Sequence, residues 1–193
     1  MKIDVVLGII AGLMHILAFT IYNKQMLKGT SHPNSATWTL WAFLSILNCV
    51  TYILMSHDWV KGLLPIASTA ACIATFVFPI FKGKLSRLNT PDIAALVIGS
   101  LSVFVWWYFR SATYANMILQ VCVFISFIPT YRGVWKEPAL EKALPWFIWS
   151  SAYIFSIVVV FIRWQGQLTD LVYPINCLLL HAGIGLLTFK APK

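Results

Sequence analysis

Acidic side chains are scarce in this chain. Asp and Glu number six against fourteen Lys and Arg, and charged residues of both signs make up only 10% of the 193 positions. A soluble domain carries about 25% charged residues. With 60% of the residues hydrophobic and a mean hydropathy of +0.80, there is too little polar side chain to coat a soluble globule, so lipid must cover most of the surface. Cysteines are also few. Cys49, Cys72, Cys122 and Cys177 all lie inside apolar runs, and no Cys-x-x-Cys occurs. That argues against a disulfide framework or a zinc site and leaves buried free thiols. No Asp or Glu stands in the central third of an apolar run: Asp4, Asp58, Asp92, Glu137, Glu141 and Asp170 are terminal or in loops. Ion-coupled carriers often use a buried carboxylate, so this lack favours facilitated diffusion of an uncharged solute. The last apolar run has no lysine before Lys190, which argues against a retinal Schiff base. No Ser-His-Asp or metalloprotease pattern occurs, and the chain is not expected to be an enzyme.

What is present is a series of long apolar runs. A membrane-crossing helix needs about 20 mostly apolar residues. Seven runs fit, at 4–23, 37–56, 63–82, 92–109, 114–132, 145–163 and 171–189. Continuous runs of this kind do not alternate as barrel strands do. In lipid they can satisfy their backbone only as helices. The expected class is an all-α membrane bundle, with the first run retained as a span because no clear signal-peptide cleavage site follows it. The net charge of +8 does not point to nucleic acid, because the basic residues sit in short loops between the runs. Ten of the fourteen follow runs one, three, five and seven, and four lie at the opposite ends. The positive-inside rule then places the N-terminus outside and the C-terminus in the cytoplasm of a multi-pass protein, with the plasma (inner) membrane the expected location.

One stretch occurs twice. Ile21-Tyr22-Asn23-Lys24-Gln25-Met26-Leu27-Lys28-Gly29 runs through Pro33 to Trp38-Thr39-Leu40-Trp41. Phe127-Ile128-Pro129-Thr130-Tyr131-Arg132-Gly133 runs through Pro138 to Trp146-Phe147-Ile148-Trp149. Each copy closes one apolar run, crosses a basic loop and opens the next run with Trp-x-x-Trp; Trp38 and Trp146 lie 108 positions apart. Such internal repeats mark two similar halves around a solute path. Two three-helix halves joined directly would be inverted, and a fourth span between them makes them parallel. The expected organisation is therefore a first bundle at 1–83, a linker helix at 84–112 and a second bundle at 113–193.

Polar groups near the membrane midplane are the candidates for function. They are His15 in the first run, Asn48 in the second, Ser68 and Thr69 in the third, Gln120 in the fifth, Ser150, Ser151 and Tyr153 in the sixth, and Asn176 and His181 in the seventh. A small neutral solute needs hydrogen-bond partners and an aromatic wall, and this set supplies both. Each Asn, Ser or Thr could equally serve an interhelical hydrogen bond. Within each Trp-x-x-Trp pair, one tryptophan suits an interfacial anchor and the other lies a turn deeper on the same face. That makes Trp41 and Trp149 the candidate pocket walls or inner gate. The histidines could serve as hydrogen-bonded core residues, solute ligands, proton relays or haem ligands.

The plan resembles that of the SWEET and PQ-loop superfamily: two parallel three-helix units, an inverting linker, an outside N-terminus and a cytoplasmic C-terminus. The stretch from Lys28 through Pro33-Asn34 to Trp38-Thr39-Leu40-Trp41 is similar to the loop of prokaryotic PQ-loop proteins, with Tyr22-Asn23 and Pro129-Thr130 near the places of Pro-Gln. The resemblance implies a transporter moving a small neutral polar solute by alternating access, a sugar first. It also implies that Asn176, after Pro174, corresponds to a pocket asparagine whose counterpart after Pro65 is Ala67. Bacterial nicotinamide-riboside carriers share the fold class, but here the residues four past Trp41 and Trp149 are Ser45 and Tyr153 rather than asparagine. A vitamin or amino-acid-like solute is the alternative. A receptor of the same fold, as in KDEL receptors, would need buried arginines for a peptide carboxylate, whereas Arg110 and Arg163 stand at span ends. No cofactor is expected, although a haem-bearing redox protein remains an alternative through the two histidines. The expected partners are a small-molecule solute, the lipid bilayer and, as an option, a second copy of the chain in a homo-oligomer.

Overall fold

The computed structural model describes residues 2–31, 35–81, 90, 93, 97, 104 and 107–190, apart from the side chains of 35–39 and 78–81. Six long helices account for most of it: α1 (Ile3–Leu27), α2 (Ser35–Ser56), α3 (Leu63–Phe81), α4 (Ala112–Lys136), α5 (Ala143–Ile162) and α6 (Thr169–Leu187), with a 3-10 turn at Pro138–Leu140. No strand occurs among the described residues. Helices cover six of the seven expected apolar runs to within a few residues. The fourth, 92–109, lies largely outside the described residues, as does the Trp38 side chain. Four helices, α1, α4, α5 and α6, are long and apolar enough to cross a membrane. Large apolar side chains such as Leu13, Leu17, Val121, Phe124, Ile154 and Leu179 face outward. His15, Asn48, Asn116, Gln120 and Ser126 face inward. A water-soluble protein sorts its side chains the other way, and this polarity is that of a membrane protein.

The helices close into a ring. α1 packs on α3 and α5, α2 on α3 and α4, and α6 lies between α4 and α5. Exchanging α1, α2 and α3 for α4, α5 and α6 maps this set of neighbours onto itself. In each group the third helix sits between the first and second. Across the interface, the first helix of each group meets the second of the other.

Hydrogen bonds and ion pairs fix the direction of every helix. The start of α1 (Asp4), the α2–α3 turn (Asp58, Lys61), the end of α5 (Arg163) and the start of α6 (Asp170) meet at one end. Tyr22, late in α1, meets Glu141 at the other end. Asn116 at the start of α4 bonds Thr51 late in α2, so α4 runs parallel to α1. The two groups therefore point the same way, as the repeat in the sequence requires.

Close approach inside the first group depends on small residues. A Cβ at Gly8 would stand 2.8 Å from Leu63 Cδ1, and one at Gly12 would stand 3.2 Å from the Cβ of Ala67. Small residues four apart let helix backbones approach where lipid supplies no hydrophobic drive. Gly12→Val should therefore lower the melting temperature in detergent, since overpacking costs about 1–3 kcal/mol. Leu17→Ala, on the 51% exposed outer face, should leave it nearly unchanged.

Candidate functional site

A cavity of about 60 Å³ occupies the centre of the ring. Each helix contributes a face at helical spacing: His15 and Phe19 from α1, Trp41, Ser45 and Asn48 from α2, Pro65, Ser68 and Cys72 from α3. The second group adds Val123 and Phe127 from α4, Trp149 and Tyr153 from α5, and Tyr173, Cys177 and His181 from α6. Residues four apart share a helix face, which is why the pairs 149/153 and 177/181 point inward together. Among the described residues, no Asp, Glu, Lys or Arg lines the cavity. Its size suits a few water molecules. A solute the size of a sugar would require the rings to part.

The two histidines flank one tryptophan–tyrosine pair. His15 lies 6.2 Å from the Trp149 ring and 5.4 Å from Tyr153; for His181 the distances are 5.5 and 5.2 Å. His181 Nδ1 stands 2.7 Å from the Cys177 carbonyl. A carbonyl only accepts, so Nδ1 carries the hydrogen and Nε2 remains as the neutral ring's acceptor. His15 Nδ1 and Trp149 Nε1 are buried without a protein partner. Burying such groups unpaired costs about 1–3 kcal/mol each, so an arriving polar solute or water has something to satisfy.

Beyond the cavity, bonds join the two groups at both ends of the bundle. At one end Lys61 Nζ meets Asp170 Oδ2 at 2.7 Å, both side chains almost wholly out of water. Arg163 Nε donates to Asp58 Oδ2 at 2.5 Å, and its Nη1 donates to Asp4. Tyr52 donates to the Asp170 carbonyl at 2.7 Å, and its ring lies 5.1 Å from Tyr173 beneath. At the other end Tyr22 Oη donates to Glu141 Oε1 at 2.8 Å, and Trp146 Nε1 donates to Glu141 Oε2 at 3.3 Å. Burial pushes the Glu141 carboxyl up to about 7, against the pull of those two donors. The Tyr22 ring lies 5.5 Å from that of Trp149, which lines the cavity.

Of the residues expected to bind solute, His15, Trp41, Asn48, Trp149, Tyr153 and His181 line the cavity. Gln120, Asn176 and Ser150 do not. Asn176 Nδ2 donates to the Gln120 carbonyl at 3.1 Å, and both residues border a groove between α4 and α6. Gln120 Nε2 and Asn116 Nδ2 both donate to Asn48 Oδ1, at 2.9 and 3.1 Å. This amide cluster joins α2 to α4. Ser150 donates to the Trp146 carbonyl within its own helix.

Trp146 departs from its expected role as interfacial anchor: it is fully buried, with its N–H on Glu141. Glu141 itself is a loop residue drawn inside, as are Asp4, Asp58 and Asp170 at the other end. The expectation of carboxylates confined to terminal and loop positions holds, but these four are buried there. Phe19 and Tyr173 are wall residues that sequence reasoning passed over. The helical spacing from His15 to Phe19, and from Tyr173 through Cys177 to His181, is the signal that finds them.

Removing groups from these two environments should have opposite effects. Asn48→Leu takes one acceptor each from Asn116 and Gln120, which keep Thr51 Oγ1 and Asn116 Oδ1, and should destabilise the protein by roughly 2–4 kcal/mol. His15→Phe removes an unpaired polar atom and should be neutral or stabilising. Lys61→Met removes the cation that meets the buried Asp170 side chain, at a cost of about 3–5 kcal/mol, and Lys61→Met with Asp170→Leu should recover much of that. Thermal unfolding in detergent measures all four.

No protein-family model, curated protein or solved structure matches this chain, so its function rests on its own side chains.

Proposed function

We propose that the protein is a membrane transporter that moves a small neutral polar solute by alternating access, with a sugar as the first solute class to test. One observation carries this reading. A charge-free cavity with two unpaired buried polar atoms lies between two similar helix groups, and bonds join those groups at both ends of the bundle. Rocking one group on the other breaks either set of end bonds and exposes the cavity to one side at a time. Trp149 Nε1 supplies a donor and His181 Nε2 an acceptor, while Trp41, Phe127 and Tyr153 supply apolar faces for the solute's rings or carbons. By the distribution of basic loops, the Glu141 end faces the cytoplasm and the ionic end faces outward. Residues 82–111 join α3 to α4, and in this reading they supply the crossing that makes a 3+1+3 arrangement of the SWEET type.

The rival readings fit the side chains less well. The Trp149 and Tyr153 rings pack against both histidines and occupy the space a porphyrin would need. A receptor for a peptide terminus needs an available buried arginine, and Arg163 is held by Asp4 and Asp58.

The experiment is downhill uptake into proteoliposomes, after a thermal-shift screen of sugars, nucleosides, vitamins and amino acids has chosen the solute. Trp149→Phe should raise KM roughly tenfold, as expected for one lost hydrogen bond of about 1.4 kcal/mol. Asn176→Ala, a change outside the cavity, should affect uptake much less. Uptake insensitive to both Trp149→Phe and His15→Ala would contradict the assignment of the cavity as the solute site.

A further inference from the structure

Glu141 differs from the other buried carboxylates. Asp4, Asp58 and Asp170 are each paired with Arg163 or Lys61. Glu141 is 4% exposed, and both hydrogen bonds it accepts come from neutral donors, Tyr22 and Trp146. The charged groups on the elements around it point to water: Lys24 and Lys28 at the end of α1, Arg132 and Lys136 on α4, Glu137 after α4, and Lys142 before α5 are all exposed. Lys190, beyond α6, lies over the Trp135 ring at 3.3 Å. Among the described residues none forms an ion pair with Glu141, and Tyr22 is the one titratable group bonded to it. The Tyr22–Glu141 bond also joins the two helix groups, since Tyr22 belongs to the first and Glu141 to the second. It cannot survive the opening of that end.

We propose that Glu141 is a proton-binding site linked to closure of this end. The protein takes up one proton as Tyr22, Glu141 and Trp146 shut over the cavity, and returns it to water as they part. A buried carboxyl without a cation is more stable neutral than charged, whereas the same carboxyl in water ionises in the ordinary range. Closing therefore carries a proton with it, and acid favours the shut form. With the carboxyl at about 7 when closed and near 4.3 when hydrated, the closing equilibrium shifts by up to roughly a few hundredfold across that range. The solute path stays uncharged while the proton resides on the gate, so solute movement becomes sensitive to pH on the Glu141 side. The link to opening rests on the alternating-access reading. The proton site itself does not.

The test has two parts, neither of which needs the solute. Infrared pH titration of the purified protein should show a carboxyl band that titrates near neutrality. The band should be absent in Glu141→Gln. In Tyr22→Phe its midpoint should move upward, because a donor that favours the charged form is gone. Labelling of cavity residues Cys72 and Cys177 by a small maleimide, read by mass spectrometry at a fixed pH of about 8, should be several-fold slower in Glu141→Gln, which mimics the protonated, shut form. Cys49, half-buried outside the cavity lining, serves as the internal control. Failure to find a Glu141 band near neutrality would overturn the proton site, as would a midpoint indifferent to Tyr22→Phe. Unchanged cavity labelling in Glu141→Gln would overturn the link to closure. A titrating band and slowed labelling in a protein that moves no solute would uphold this inference and overturn the transport reading instead.

Discussion

Lys61 and Asp170 meet at 2.7 Å with neither side chain in water, and the arrangement of the two helix groups depends on contacts of this kind. In a bundle whose outer face is apolar, a buried charge has no solvent to turn to. It must find its partner inside, in one geometry. The partner here belongs to the other group, as do those of Asp4, Asp58 and Tyr22. These directional bonds at the ends add to the apolar packing of α1 on α5 and of α2 on α4. Such bonds can be broken at one end while those at the other persist, which is the mechanical requirement for exposing a central cavity to alternate sides.

The two ends differ in kind. One carries three salt bridges, in which Lys61 and Arg163 meet Asp4, Asp58 and Asp170. The other carries a carboxyl supported by neutral donors under a cover of aromatic rings. Between them the cavity wall is aromatic and uncharged. Its polar groups are placed so that His181 satisfies one ring nitrogen on its own helix while His15 and Trp149 have none to satisfy. Under the proposed function, orientation of the solute and closure of the site fall to different residues, even though the Trp149 and Tyr22 rings touch.

Much of this is legible in the chain itself. The apolar runs gave six helices to within about four residues at each end, and the duplicated loop with its Trp-x-x-Trp foretold two parallel groups. Six of nine expected site residues line the cavity, because mid-span polar and aromatic residues in a lipid-covered bundle have little choice but to face inward. Asn176 shows where this reasoning stops. It adjoins Cys177, which faces the cavity, but one residue turns a helix by about 100°, and that turn carries Asn176 to Gln120 on α4. Gln120 in turn is claimed by Asn48 and Asn116.

The sequence by itself determined that the protein is helical, lipid-covered and duplicated, because hydropathy and spacing along one helix are local properties of the chain. The tertiary structure decided which polar groups are satisfied and which are left for something else. Tyr22 and Glu141 are 119 positions apart, and Lys61 and Asp170 are 109 apart. No local pattern pairs them. Glu141, a loop acid with no helical period to announce it, becomes a buried carboxyl only because α1 brings a tyrosine hydroxyl to meet it.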